Sequence, residues 1–179
     1  MKTYKELQKG AKDALVETFH YTNVHQVPQV TKVIVSSGTG KRSRLNHDFH
    51  AHVEGRLGKI TGQKPALKKA KKSIAGFKLR TGDSVGYMVT LRGARMNSFF
   101  DKLINIVLPR TKDFRGIDSK SIDLMGNMTF GIKEHNVFPE TGEEDLKDIF
   151  GMQITIGTTA KTKKEALAYL TYLGFPFKK

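Results

Sequence analysis

Cysteine and tryptophan are absent from the 179 residues, and long apolar runs are absent as well. The lack of cysteine excludes disulfides, thiolate catalysis and cysteine-type zinc sites, and it fits a reducing compartment. A membrane-spanning helix needs about 18 or more apolar residues in a row, and the chain has no such run. The N-terminal residues also lack the apolar core of a signal peptide. We therefore expect no membrane-spanning helix and no secretory signal in this chain.

Acidic residues are missing from a long part of the chain, since none occurs between Glu54 and Asp83. Inside this gap lies the basic block, residues 62–80, with seven Lys or Arg side chains. The whole chain has 31 Lys and Arg against 17 Asp and Glu, which gives a net charge of +14. The natural complement of such a charge is a polyanion, and a phosphate backbone is the densest one in a cell. A solvated basic hairpin that only aids solubility is the alternative interpretation.

Hydrophobic periodicity predicts a mixed chain in which helices and strands follow one another. We expect an α+β fold, a single domain over residues 1–179, with an antiparallel sheet, helices packed on one face and an exposed face for RNA. The predicted helices cover residues 4–19, 46–60, 94–108 and 163–173, with capping boxes at Thr3–Glu6 and Thr162–Glu165. The predicted strands cover residues 29–37, 66–71, 85–92, 128–138 and 151–159, and a protruding, mobile basic loop covers 73–80.

The exposed face of the predicted sheet is polar and in part basic. Alternation along the first strand directs Val33 and Val35 to the core and Lys32 and Ser36 to the other face. In the third strand the outward positions include Thr90 and Arg92. Because a polar sheet face beside a basic loop offers both hydrogen bonds and positive charge, it predicts an RNA-binding platform.

A glycine-rich turn at residues 37–43 resembles a phosphate-binding loop only superficially. The Walker pattern requires Gly where Val35 stands and Ser or Thr where Arg42 stands. The dinucleotide pattern fails too, because Ser43 occupies the position of its third glycine. We interpret the turn instead as one that carries Lys41, Arg42 and Arg44 to an RNA backbone.

Two groups of side chains invite comparison with metal sites. His47, His50 and His52 do not converge on a helix, since successive residues are rotated by about 100°. A second group, which lacks any regular pair spacing, consists of Asp113, Asp118, Asp123 and Glu134. Loop salt bridges explain these acids, and a metal-dependent nuclease acting through the three aspartates is the enzymatic alternative. We expect neither a cofactor nor catalysis.

Several consecutive motifs resemble the bacterial large-subunit ribosomal protein five family. They are ITGQKPALKKAKKSIAGFKLR, VTLRGARM, LINIVLPRTKDFRG and the closing FPFKK, together with QVP, KVIVSSGTG and ITIGTTAKT. The resemblance runs nearly end to end and in the same order. It implies a structural protein that binds 5S rRNA in the central protuberance of the large ribosomal subunit.

The resemblance also implies roles for particular residues. The implied 5S rRNA contacts are Lys32, Ser36, Lys41, Arg42, Gln63, Lys64, Lys69, Lys71, Thr90 and Arg92. The implied contacts with P-site tRNA are Ser73, Ile74, Ala75, Gly76, Phe77, Lys78 and Arg80, with Phe77 and Lys78 leading. The implied intersubunit bridge uses Arg110, Lys112, Asp113, Arg115, Glu143 and Glu144.

The implied partners are 5S rRNA, 23S-type rRNA, P-site tRNA, neighbouring large-subunit proteins and small-subunit ribosomal protein thirteen, with no membrane. The chain is then expected on cytoplasmic ribosomes, with an organellar ribosome left open. A free RNA chaperone or regulator that does not reside on the ribosome is the alternative.

Overall fold

The computed structural model describes residues 3–40, 48–112, 114–141 and 148–178. The chain folds as two compact units. The first unit comprises Met1–Val33, Leu91–Phe130 and Thr155–Lys179, and the second comprises Ile34–Thr90 and Gly131–Ile154. Among the described helices, none combines the length and hydrophobicity that crossing a bilayer requires. The expectation of one domain over the whole chain stays a prediction.

Within the described residues, five strands form an open antiparallel sheet, so the predicted α+β class is confirmed. The strand order is β2-β3-β1-β5-β4. In the pair β2–β3, Leu67 lies opposite Tyr87, and the register shifts between Lys68 and Lys69. The strands are β1 (Val30–Gly38), β2 (Ala66–Lys69), β3 (Ser84–Leu91), β4 (Met128–Ile132) and β5 (Met152–Thr158).

Helix α1 of the first unit spans Tyr4–Phe19, as its periodicity predicts. The predicted capping box is present, and the Thr3 backbone N–H donates to the Glu6 carboxylate at 2.9 Å. Its apolar stripe is buried, with Ala11 0% and Leu15 5% exposed. Burial of this stripe against the helix at Gly93–Lys102 and the C-terminal helix fixes α1 in the unit.

Helix α3 spans Gly93–Lys102 and continues through a π-helical turn at Leu103–Val107 and a last turn at Leu108–Arg110. The predicted end before Pro109 is therefore wrong by two residues. Pro109 lies in the last turn of this helix, directly after the π-helical turn, where its missing N–H removes at most one backbone hydrogen bond. Phe99 and Phe100 of this helix are buried.

The C-terminal helix spans Lys163–Tyr172. The Thr162 side chain accepts from the Glu165 N–H at 3.3 Å, while the Glu165 carboxylate accepts from the Lys161 N–H at 2.8 Å rather than from Thr162. At the other end, Gly174 has φ +96°, and the Phe175 N–H donates to the Leu170 carbonyl at 3.1 Å. This left-handed residue is the predicted stop of the helix.

Helix α2 of the second unit spans Asp48–Thr61 and buries the predicted stripe. Asn46, whose residue type and position predict the N-cap of this helix, lies outside the described residues. The predicted strand 128–138 is too long, because β4 ends at Ile132 and two 3-10 turns follow, at His135–Val137 and Pro139–Thr141. The side chains of the α2 stripe are Phe49, Val53, Leu57 and Ile60, all at most 2% exposed.

Candidate RNA interface

Two cations of the first unit lie near the start of β1, since Lys32 belongs to the strand and Arg92 contacts its second residue, Thr31. The stem of Lys32 crosses the bare backbone of Gly157 in β5. A methyl group built on Gly157 would lie 3.1 Å from Lys32 Cγ and 3.2 Å from its Cε. Arg92, which precedes α3, donates a long hydrogen bond of 3.5 Å to the Thr31 carbonyl. The Lys32 stem is thus positioned by β5, and Arg92 is positioned by the backbone of β1.

Uncharged polar groups of the second unit come together at the end of α2. Gly62 has φ +64°, which turns the chain so that Gln63 reaches β3. The Gln63 amide donates to the Thr90 carbonyl at 3.5 Å, and the Thr61 hydroxyl donates to the Gln63 carbonyl at 3.1 Å. Gln63 and Thr90, which are 27 residues apart in sequence, are therefore neighbours in the second unit.

Ser36 and Thr90 are half-buried on their strands, while their neighbours Val35 and Val89 belong to the core. The predicted alternation of β1 and β3 is therefore confirmed. The two strands also approach closely in the second unit, because a methyl group built on Gly86 would lie 2.4 Å from the Ser37 carbonyl oxygen. Only glycine fits at such a distance, so Gly86 sets the spacing between β1 and β3.

The basic block forms the edge of the second unit. All four residues of β2 are exposed, which suits an edge strand rich in lysine. Lys64 is almost fully exposed and lies 4.0 Å from the Glu54 carboxylate, a distance at which the pair adds little stability. Lys69 and Lys71 are also exposed. These three predicted contacts present charge to solvent, whereas Lys41 and Arg42 lie outside the described residues.

The loop 73–80 closes as a small hairpin, which its irregular sequence does not predict. Ile74 and Leu79 pair backbone to backbone, with the Ile74 N–H donating at 2.9 Å. Below them, the Thr81 N–H donates to the Ser73 hydroxyl at 3.0 Å. A 3-10 turn at Ala75–Phe77 forms the tip, where Phe77 is 70% exposed. An exposed ring on a braced tip is suited to stacking on a base or sugar.

Three cations follow the end of α3 in the first unit. Arg110, Lys112 and Arg115 are not buried, as a docking role requires. Asp113, Glu143 and Glu144, the acidic residues predicted to act with them, lie outside the described residues.

Of the residues compared with metal sites, His47 and Asp113 lie outside the described residues, whereas His50, His52 and Asp118 have local structural roles. His50 Nδ1 lies 3.2 Å from the Thr39 hydroxyl, while the His52 ring packs edge-on against Phe150. Asp118 accepts from the Lys120 N–H at 2.9 Å. Across the described ranges, no three His, Asp or Glu side chains gather as a metal site would need.

The Asp123 carboxylate stabilises a tight turn by hydrogen bonds within the turn. Its carboxylate accepts from the Asn127 N–H at 2.7 Å and from the Asn127 amide at 3.0 Å. Burial works against the charged form, but these hydrogen bonds prevail and lower the pKa of Asp123. The carboxylate therefore stays ionised and fixes the turn that carries Leu124 and Met125.

Sequence comparison identifies the family of the chain. The family model for ribosomal protein L5 matches residues 23–80, and the model for the C-terminus of the same ribosomal family matches residues 84–177. The chain belongs to the ribosomal protein L5 family. This family is structural and non-enzymatic, so the nuclease alternative is discarded and the resemblance found in the motifs is confirmed.

Relatives of the L5 family cover the chain almost completely. The large ribosomal subunit protein uL5 of a Thermotoga species is 49% identical over 174 residues, which is 97% of this chain and 94% of the relative. The uL5 of Fervidobacterium nodosum is 47% identical and covers 98% of this chain and 95% of its own length. The uL5 of Acaryochloris marina is 49% identical, with coverages of 92% and 90%.

Sequence reasoning missed two buried glycines that bear on the predicted contacts, Gly86 in the second unit and Gly157 in the first. Each is a lone glycine inside a strand, which is the one signal that points to a close approach of another group. Gly86 admits a backbone and Gly157 admits the Lys32 side chain, but only the structure distinguishes these two uses.

Proposed function

We propose that this protein is a structural component of the large ribosomal subunit on cytoplasmic ribosomes, and that its polar sheet face binds 5S rRNA. Membership of the L5 family and relatives named uL5 support the ribosomal role. The single observation that carries the RNA-binding part is the composition of the surface. The second unit contributes the hydrogen-bonding groups of Ser36, Gln63 and Thr90, and the first unit contributes the cations Lys32 and Arg92.

The two kinds of side chain divide the work of recognition. Lys and Arg neutralise phosphates and supply affinity, which is salt-dependent because counterions are released. Uncharged hydroxyl and amide groups recognise base edges and 2′-hydroxyls in unpaired RNA, and this supplies selectivity.

The other proposed partners are 23S-type rRNA and neighbouring large-subunit proteins. We propose further that loop 73–80 contacts P-site tRNA, and that the segment after α3 reaches small-subunit protein thirteen.

The test is binding of the purified chain to 5S rRNA, against tRNA as competitor, across a salt series. We expect selective binding that weakens steeply with salt. The variant with Lys32→Ala, Thr90→Ala and Arg92→Ala should lose at least about 100-fold in affinity, because two charged contacts and one hydrogen bond are removed. Its salt slope should fall by about 1.4 to 1.8, the value for two phosphate contacts.

A matched control carries Lys163→Ala, Lys164→Ala and Thr171→Ala. It removes the same number of positive charges and one hydroxyl group, but from the C-terminal helix. It should bind 5S rRNA as the parent does. Normal binding by the sheet-face variant would overturn the assignment of the surface. Equal, weak binding of 5S rRNA and tRNA by the parent would favour a free RNA chaperone, which would also fail to sediment stoichiometrically with large subunits.

A further inference from the structure

A half-open cleft of about 370 Å³ lies beside α1 in the first unit. Helix α1 lines one side and the segment that leads into β1 lines the other. None of the lining residues belongs to the surfaces assigned above. They are Gln8, Lys9, Lys12, His25, Val27 and Gln29.

The walls of this α1 cleft are held by hydrogen bonds. The Gln8 amide donates to the Pro28 carbonyl at 3.1 Å, and its oxygen accepts from the Tyr169 hydroxyl. The Gln29 N–H donates to the Thr159 hydroxyl at 3.0 Å, and the Thr159 N–H donates back to the Gln29 carbonyl at 3.0 Å. Both sides of the cleft are thus preorganised, which lowers the entropic cost of binding.

The lining chemistry selects an oxyanion. Lys9 and Lys12 line the cleft together with His25 and Gln29, and no carboxylate lines it within the described part of the chain. A cation would be repelled by the two lysines, whereas a phosphate can accept hydrogen bonds from all four side chains. Lys9, His25 and Gln29 are exposed at the rim, so a ligand reaches them without rearrangement of the backbone.

Size and composition favour an RNA strand over a free nucleotide. The volume is at the lower end of the range of about 300–1,000 Å³ for ligand sites, enough for a phosphate with its sugar. Among the residues that the structure describes, no aromatic ring other than His25 lines the cleft, so a base has no large apolar surface to stack on. Such a phosphate site gains affinity when the ligand is tethered by contacts elsewhere on the same chain.

We propose that the α1 cleft binds a backbone phosphate of an RNA strand, as a contact separate from the sheet face. The identity of the polyanion rests on the proposed RNA-binding function, whereas the phosphate chemistry rests on the cleft alone. The purified full-length chain is titrated with a short oligouridylate, with AMP and with inorganic phosphate. Amide NMR signals of Lys9, Lys12, His25 and Gln29 are followed in each titration.

Saturable shifts of these signals with oligouridylate are expected, at affinities at least about 10-fold tighter than with AMP, because neighbouring phosphates add further contacts. The variant Lys9→Ala/Lys12→Ala should lose the shifts and about 10-fold in oligouridylate affinity. The control Lys163→Ala/Lys164→Ala loses the same charge and should keep the cleft shifts and most of the affinity. A far-ultraviolet spectrum and melting curve identical to the parent's establish that each variant is folded.

Unmoved cleft signals with all three probes overturn the proposal, as does an equal loss of affinity in the control. Binding of AMP as tight as that of oligouridylate overturns the RNA assignment and leaves a free nucleotide as the ligand. Failure of the proposed function is distinguishable, because it appears as loss of selective 5S rRNA binding by the parent chain, whatever the cleft signals do.

Discussion

At the scale of the residue, glycine decides where a cation lies on the proposed 5S rRNA surface. Lys32 would be free to sample solvent if its neighbour on β5 carried a side chain. The bare backbone of Gly157 lets the four-carbon stem lie flat on the sheet, and the ammonium group is then directed by the strands. Preorganisation of this kind reduces the rotamer entropy that a long lysine loses on binding.

Gly157→Ala should therefore weaken 5S rRNA binding about 10-fold while the protein stays folded. The new methyl group would lie 3.1 Å from Lys32 Cγ, so the flexible lysine moves rather than the backbone. The measurement is 5S rRNA affinity together with the melting temperature. Gly131→Ala is the control, because its methyl group would approach nothing closer than the Met152 carbonyl at 4.0 Å. Equal 5S affinity for parent and Gly157→Ala would contradict the role of this glycine.

At the scale of the element, hydrophobic periodicity predicts the bounds of those helices and strands that bury one face against the core. The bounds of α1, β1 and β3 follow from apolar spacing to within a residue or two, because each buries one face against the core. The end of the C-terminal helix follows from Gly174, since a left-handed residue favours glycine. These elements were predictable because their signals are local.

Elements shaped by partners distant in sequence were less predictable. β4 was expected to continue to residue 138, but the apolar residues beyond Ile132 are buried in a 3-10 turn instead of a strand. The contact between Gln63 and Thr90 depends on a turn after α2, and no spacing rule places those residues together. No spacing rule predicts the contact of the Lys32 stem with the Gly157 backbone either.

The hairpin 73–81 is stabilised by hydrogen bonds within itself, so side chains at its tip can be replaced without disrupting the sheet. Phe77→Ala with Lys78→Asn should keep 5S rRNA affinity within about 2-fold and lower P-site tRNA affinity on assembled ribosomes about 10-fold. The reason is loss of one stacking ring, worth about 1–3 kcal/mol, and one charge. Asn is chosen because Lys78 has φ +48°, which Asn tolerates better than Ala.

The matched control for the hairpin is Leu124→Ala with Lys120→Ala. Leu124 is 84% exposed, so this variant also removes one exposed apolar side chain and one cation, from a different turn. It should leave tRNA affinity unchanged. Loss of 5S rRNA binding in the hairpin variant would refute the proposed division between hairpin and sheet face.

At the scale of the whole molecule, a net charge of +14 favours RNA but opposes compactness through self-repulsion. In such a protein, a buried titratable group that is neutral in the folded state lowers the free energy of unfolding when acid protonates it. His135 is 3% exposed and its ring stacks on Phe150 with centroids 4.3 Å apart. Burial, followed by the charges of His52 and Arg56, lowers the pKa of His135 from 6.5 to about 4.

The free energy of unfolding should therefore fall as pH decreases from about 6.5 towards about 4. The unfolded chain takes up a proton on His135 near pH 6.5, but the folded chain resists it until about pH 4, so acid favours the unfolded state. Urea unfolding at pH 7 and pH 5 should show a loss of about 2 kcal/mol from this residue. His135→Phe, which keeps the stacked ring, should remove that loss, whereas His25→Gln at an exposed position should retain it. A pH dependence that is the same in the parent and in His135→Phe would place the origin of acid sensitivity elsewhere in the chain.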